Sequence, residues 1–187
     1  MKNTLLIKKI CLFAMFLALA WLLPLLTGQI PDIGNMLCPM HIPIILAGFI
    51  LGGGYGALLG FIAPLTRSLI FGQPVLYPFA LCMSFELATY GFLSGFIFKL
   101  FIKKFTFESK VVIWLYITLV LSMIMGRLVW GFSRFVCGVF AQNEFTFKMF
   151  LSGAIITAWP GIILQLILIP SILYALFKAK ILQPYYK

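Results

Sequence analysis

The chain has 187 residues, 63% of them hydrophobic and only 10% charged, with a mean hydropathy of +1.13. Soluble domains are about 45–50% apolar and about 25% charged, and one of this size cannot hide such an excess from water; a single water-soluble domain is excluded, and the chain reads as an integral membrane protein. Lys and Arg number 14 against 4 Asp and Glu, a formal charge of +10. The cations lie mostly at the ends of apolar runs, where membrane topology accounts for them. No basic stretch interleaved with aromatics is left for nucleic acid.

The apolar runs predict an all-α, compact bundle of six transmembrane helices in one domain, 1–187, with helices at about 5–26, 36–52, 55–71, 78–101, 110–135 and 148–178. Lys2, Lys8 and Lys9 precede the first. Ala18-Leu19-Ala20 resembles a signal-peptide cleavage site, but the apolar run continues from Trp21 through Leu26, so an uncleaved helix is expected. A turn-rich loop, Thr27 to Asn35, follows. The second run carries Pro39 and Pro43 and is expected to be short or irregular at its start. Gly52-Gly53-Gly54-Tyr55-Gly56 reads as a tight reversal, Gly72-Gln73-Pro74 as a turn, 103–110 as a basic connection and Ala141 to Glu144 as a loop.

Six crossings put both termini on one side. Lys2, Lys8, Lys9, Lys99, Lys103, Lys104, Lys110, Lys178, Lys180 and Lys187 all fall there, against Arg67, Arg127, Arg134 and Lys148 elsewhere. That bias places both termini in the cytoplasm and turns the loops after the first, third and fifth helices outward.

Cys11, Cys38, Cys82 and Cys137 have no C-x-x-C spacing and His41 is the single histidine, which argues against a zinc site. Cys38 and Cys137 both fall toward the outer side, compatible with a disulfide or with two small hydrophobes. No Gly-Lys-[Ser/Thr] follows the glycines at 52–56, so they are no phosphate loop. One histidine and four acids are too few for a metal-dependent hydrolase, and a serine nucleophile would lack an evident base. An enzyme is not expected, nor a metal or cofactor in this chain.

Ionisable groups within a crossing are costly enough to indicate function. Arg67 lies about 16 Å along the third helix, Glu86 about 12 Å in from the outer start of the fourth, and Arg127 about 24 Å from the inner start of the fifth, so all three fall in the central to outer bilayer. Glu86 and Tyr90 share a helix face. Met123, Arg127, Trp130 and Arg134 form one stripe, and Ser152, Ile156 and Trp159 another, near Pro160. Glu86, Arg127, Tyr90, Trp130, Trp159 and Arg67 are therefore candidates for a polar small-molecule pocket, Arg127 clamping a carboxylate or phosphate and Glu86 accepting from an amine or hydroxyl. Glu86 could instead neutralise Arg67 or Arg127 as a helix-orienting pair, with Trp130 and Arg134 at the membrane surface and Gln165 as a packing contact. Asn35 and His41 belong to the first outward loop or its end, as ligand contacts or as turn and cap residues. Ala14 and Ala18 are spaced small-x-x-x-small, which serves packing within the bundle or docking of another membrane subunit.

The segments Ile30 to Pro43, Gly60 to Ser68 and Phe85 to Gly91, with the Ala-x-x-x-Ala first helix, resemble the S components of energy-coupling factor (ECF) transporters over nearly the whole chain. The resemblance implies a multi-pass subunit of a bacterial cell membrane that captures a water-soluble vitamin or related micronutrient from outside. It implies as partners a transmembrane coupling subunit and two cytoplasmic ATPases, which use the ATP, and a toppling of the subunit to release its ligand. It implies docking through Ala14 and Ala18, a pocket including Glu86, Tyr90, Arg127, Trp130 and Trp159, and a lid holding Asn35 and His41. Two nearby arginines favour an anionic ligand such as pantothenate, whereas a Glu86–Arg127 pair would leave a neutral site. The rival readings are a self-sufficient permease with Glu86 as its coupling acid and a structural or assembly protein with Arg67, Glu86 and Arg127 as a packing network.

Overall fold

The structure is a computed structural model and describes residues 2–27, 36–104, 107–140 and 146–179. Among these residues there are helices and turns but no strand, as lipid demands of a chain that does not close a barrel. In chain order the helices are α1 (Lys2–Thr27), α2 (His41–Leu51), α3 (Gly53–Phe71), α4 (Leu81–Lys104), α5 (Phe107–Phe140), α6 (Phe147–Leu151) and α7 (Trp159–Lys178). Irregular π-type turns, Leu76–Ala80 and Ser152–Ile156, lead into α4 and on from α6. Five helices, α1, α3, α4, α5 and α7, are long and apolar enough to cross a membrane.

Two predicted spans differ from expectation. The second, 36–52, is the 11-residue α2, about 16 Å long and half the hydrocarbon thickness. A turn through Cys38 and Pro39 delays its start, while Pro43 falls in the first turn, where its missing N–H costs no helical bond. All of α2 is buried; it packs against α1, α3, α4 and α7, so its apolar sequence fills the bundle centre. The sixth, 148–178, is broken: α6 gives way to the π turn, then to a turn at Thr157 and Ala158, and α7 restarts with Pro160 in its first turn. Ser152, Ile156 and Trp159 therefore do not share one continuous helix face, and Ile156 and Trp159 are exposed.

Contacts fix the direction of each helix. Phe13 meets Tyr55 edge-on at 6.5 Å and Trp21 Nε1 donates to Thr66 Oγ1 at 3.2 Å, so α1 and α3 run parallel with α2 returning between them. Phe61 against Phe85 makes α3 and α4 antiparallel, and Phe101 stacked on Trp114 does the same for α4 and α5. Phe98 meets Phe177, and Gly161 abuts the Met36 and Leu37 carbonyls. The start of α1 and the end of α7 thus share one end of the bundle, the near end below; His41 and the start of α4 lie toward the far end.

Glycine lets α3 and α4 touch backbone to backbone. A methyl at Gly91 would lie 2.2 Å from the Gly56 carbonyl oxygen, and one at Gly56 would lie 2.4 Å from that of Gly91. Without side chains the two backbones close to contact, which gains dispersion where lipid offers no hydrophobic drive. The expected reversal after α2 is made by Gly52, whose φ of 97° only glycine adopts without strain. The core around α2 is apolar, with Ile44, Ile45, Phe49, Phe98, Leu119 and Ile169 almost fully buried.

Candidate functional site

At the far half of the bundle three helices converge on one carboxylate. Glu86, in the second turn of α4, is 1% exposed. Its Oε1 accepts from Arg127 Nη1 of α5 at 3.0 Å and lies 3.5 Å from His41 Nε2, at the first residue of α2. One turn on, Tyr90 is also 1% exposed, and its ring stands edge-on to that of His41 with centroids 5.3 Å apart. Gly126 makes room for that ring: a methyl there would sit 2.8 Å from it. Opposite, Arg127 Nη2 reaches Cys38 Sγ at 3.6 Å. Cys38 is in the left-handed region, φ 47°, and its carbonyl accepts from the His41 N–H at 3.1 Å, so one turn presents both the thiol and the imidazole.

The chemistry of this cluster is recognition. Glu86 is an acceptor with two donors on one oxygen, Arg127 is a donor fork, and His41 can donate or accept. With Nε2–H turned to the carboxylate, His41 Nδ1 is buried and has no hydrogen-bond partner, which leaves one acceptor unfilled. Arg127 is the more open member, its side chain 16% exposed against 2% for that of Glu86.

Other predicted residues fall elsewhere. Arg67 is buried near the end of α3, where its Nη1 donates to the Gln73 carbonyl and its guanidinium lies 6.0 Å from the Phe71 ring; it fastens the α3–α4 connection and does not join the cluster. Trp130, one turn beyond Arg127, stacks on Phe150 with centroids 6.2 Å apart, beside a ≈360 Å³ open groove lined largely by Leu128, Phe132, Phe135, Phe147 and Phe150. Trp159 is 55% exposed and turned away from the bundle. Asn35 lies outside the described residues. Ala14 and Ala18 are exposed on α1, whose bundle side is carried by Phe16 and Ala20, so the alanine pair does not serve packing within the bundle.

Of the two readings left open for Cys38 and Cys137, the disulfide is not formed. Cys137 Sγ lies 3.4 Å from Cys82 Sγ, not near Cys38, and none of the four cysteines is in a disulfide. Cys38 abuts Arg127, ten residues before Cys137 on α5 and so about 15 Å lower along the axis. Cys38 and Gly126 were not singled out as site residues; a thiol contact and a ring-sized gap on another helix leave no periodic mark.

A family model for the substrate-specific component of ECF transporters matches residues 8–173. The chain belongs to that family. Searches of curated proteins and of solved structures gave no match. S components are membrane-embedded, substrate-binding transport subunits, and in this one the polar groups that helices α2, α4 and α5 bury together form the candidate substrate site.

Proposed function

We propose that this S component captures a water-soluble vitamin or related micronutrient at the outer face of a bacterial cell membrane and passes it to an ECF module. The supporting observation is the cluster itself: an acid, a guanidinium, an imidazole and a phenol from three helices, brought together inside a largely apolar bundle. Burying such groups is costly and is retained where they do work. With both termini cytoplasmic, as the cation bias favours, the far end faces outward and the cluster lies beneath the first and third outward connections, with α2 completing six passes as a half-length central helix.

Partners follow from the same reading. A transmembrane coupling subunit docks on the exposed Ala14 and Ala18 face of α1, and two cytoplasmic ATPases hydrolyse the ATP. Tight capture slows escape about tenfold for every 1.4 kcal/mol at constant on-rate, so release requires the ATP-driven partners to distort or topple the subunit. The test is native mass spectrometry of the chain purified alone in mild detergent. A stoichiometric small molecule, lost in Glu86→Gln or Arg127→Gln, is the expected result. A folded chain with nothing bound, from native source and from a vitamin panel alike, would refute the reading; uptake by the chain without ATPases would point to a permease.

A further inference from the structure

Resting on the substrate-binding reading above, the geometry narrows the class of substrate. Two charged groups among the described residues touch each other in the cluster, Glu86 and Arg127, at 3.0 Å, and their charges cancel. The second cation that would have favoured an anion, Arg67, is spent on the Gln73 carbonyl and the Phe71 ring; Arg134, two turns beyond Arg127, lies over the Phe79 ring at 4.4 Å. A carboxylate entering here would compete with Glu86 for one guanidinium and stand beside a like charge in a water-poor site. An ammonium would have to share Glu86 with Arg127 and His41. Either ion leaves its hydration shell without a free counter-charge to receive it.

The unfilled positions have a definite polarity. His41 is 3% exposed, and with Nε2–H directed at Glu86 its Nδ1 is a buried acceptor with no partner. An unfilled buried acceptor is costly, and a ligand donor recovers that cost. Arg127 has five N–H donors; Glu86 holds one nitrogen well, and the other rests on a thiol sulfur at 3.6 Å, a weak acceptor that a ligand oxygen can displace. His41 Nε2 and Arg127 Nη1 both reach Oε1 of Glu86, at 3.5 and 3.0 Å, so His41 Nδ1, on the other side of the ring, and the remaining Arg127 donors are two separate positions flanking the pair. Tyr90, edge-on to His41, adds an aromatic wall. Residues 36–39 are half-buried and lead into α2, with Met36 and Leu37 against Gly161 of α7.

We infer that the site selects a ligand without net charge that carries a hydrogen-bond donor and a separate acceptor, as in an amide- or hydroxyl-bearing heterocycle, the donor going to His41 Nδ1 and the acceptor to Arg127. The Glu86–Arg127 pair stays intact on binding and holds the two recognition groups apart.

The experiment uses the purified chain and matched probes: nicotinamide with nicotinate, panthenol with pantothenate, biotinamide with biotin, and riboflavin with thiamine as a neutral imide against a cation, alongside identification of any compound that co-purifies. The expected result is that the co-purifying compound is neutral at pH 7 and that, in any pair that binds, the neutral member binds at least tenfold more tightly. His41→Gln places its amide at the Nε2 position and keeps the Glu86 contact, whereas His41→Asn keeps a polar group at the Nδ1 position. His41→Gln should weaken the neutral probe about tenfold and His41→Asn much less, with both variants folded by gel filtration. A charged co-purifying compound, an ionised probe that outcompetes its neutral partner, or equal loss in the two variants overturns the inference and leaves the substrate-binding reading standing. No bound compound and no binding by any probe overturns both.

Discussion

Removing Arg127 is the sharpest test of the buried pair. Its guanidinium lies 3.0 Å from Glu86 Oε1, a separation at which two unit charges attract by about 5–6 kcal/mol at an effective dielectric of about 20. Desolvating both ions costs a similar amount, so the pair as a whole contributes little, but a lone survivor is penalised by about 3–5 kcal/mol. The survivors are unequal. Arg127→Met strands Glu86, whose side chain is 2% exposed, while Glu86→Gln strands Arg127 at 16%, with a route to water and a hydrogen-bonding amide still beside it. Arg127→Met should therefore cost about 3–4 kcal/mol and Glu86→Gln about 1–2, with the double variant Glu86→Gln/Arg127→Met less destabilised than Arg127→Met alone. At roughly 2–4 °C per kcal/mol for a chain of this length, Arg127→Met lowers Tm by about 6–16 °C. Thermal unfolding in detergent measures all three. Additive losses, or single losses under about 0.5 kcal/mol, would mean that the two side chains do not meet and would remove the basis for a neutral site.

Three further outcomes follow. Gly91→Ala forces a methyl to within 2.2 Å of the Gly56 carbonyl oxygen, where backbone has no rotamer to yield, so it should cost about 3 kcal/mol; Gly54→Ala, with nothing within 4 Å, should change stability by less than about 0.5 kcal/mol in the same unfolding assay. Ala14→Trp and Ala18→Trp, on the exposed face of α1, should leave Tm of the isolated chain and probe binding unchanged while abolishing ATP-dependent uptake with the full module, and retained uptake would remove the docking role. Mild copper-phenanthroline oxidation should join Cys82 to Cys137, whose sulfurs lie 3.4 Å apart, with loss of two protons and two electrons to the oxidant; peptide mapping that instead recovers a Cys38–Cys137 link would contradict the register of α4 against α5.

Relative height along two helices was legible because helical rise is fixed: counting residues placed Glu86 and Arg127 at similar heights, and they do meet. Face was legible within a helix, as with Glu86 and Tyr90, for the same geometric reason. Which helix stands beside which was not, since a 3.6-residue period is silent on neighbours. Thus Gly60 and Phe61 of α3 stand level with Glu86, Arg67 lies about 9 Å farther along and fastens its own loop, and Cys137 meets Cys82. Trp159 was assigned a face by extending one helix through Pro160, but the chain breaks at Thr157 and Ala158 and the indole emerges outside. Hydropathy also treats a helix buried by protein and one bathed in lipid alike, which is why the apolar run did not reveal that α2 is an 11-residue helix buried on all sides.

The same ambiguity explains where the site had to form. Helices α2, α3 and α4 pack through glycines to backbone contact at the near half, where a methyl at Gly95 would lie 2.3 Å from the Gly53 nitrogen. No side-chain chemistry fits into such a seam. Toward the far end α2 begins late, after the turn at Cys38, and α4 opens with a π-type turn. Here α3 still closes on α4 at Gly60 against the Leu87 backbone, while α5 meets α4 through side chains, Tyr90 against Gly126 and Glu86 against Arg127. The glycine seam thus holds α2, α3 and α4 at backbone contact, and the polar cluster forms where α5 meets α4 through side chains. His41 joins it because it is the residue on which α2 starts.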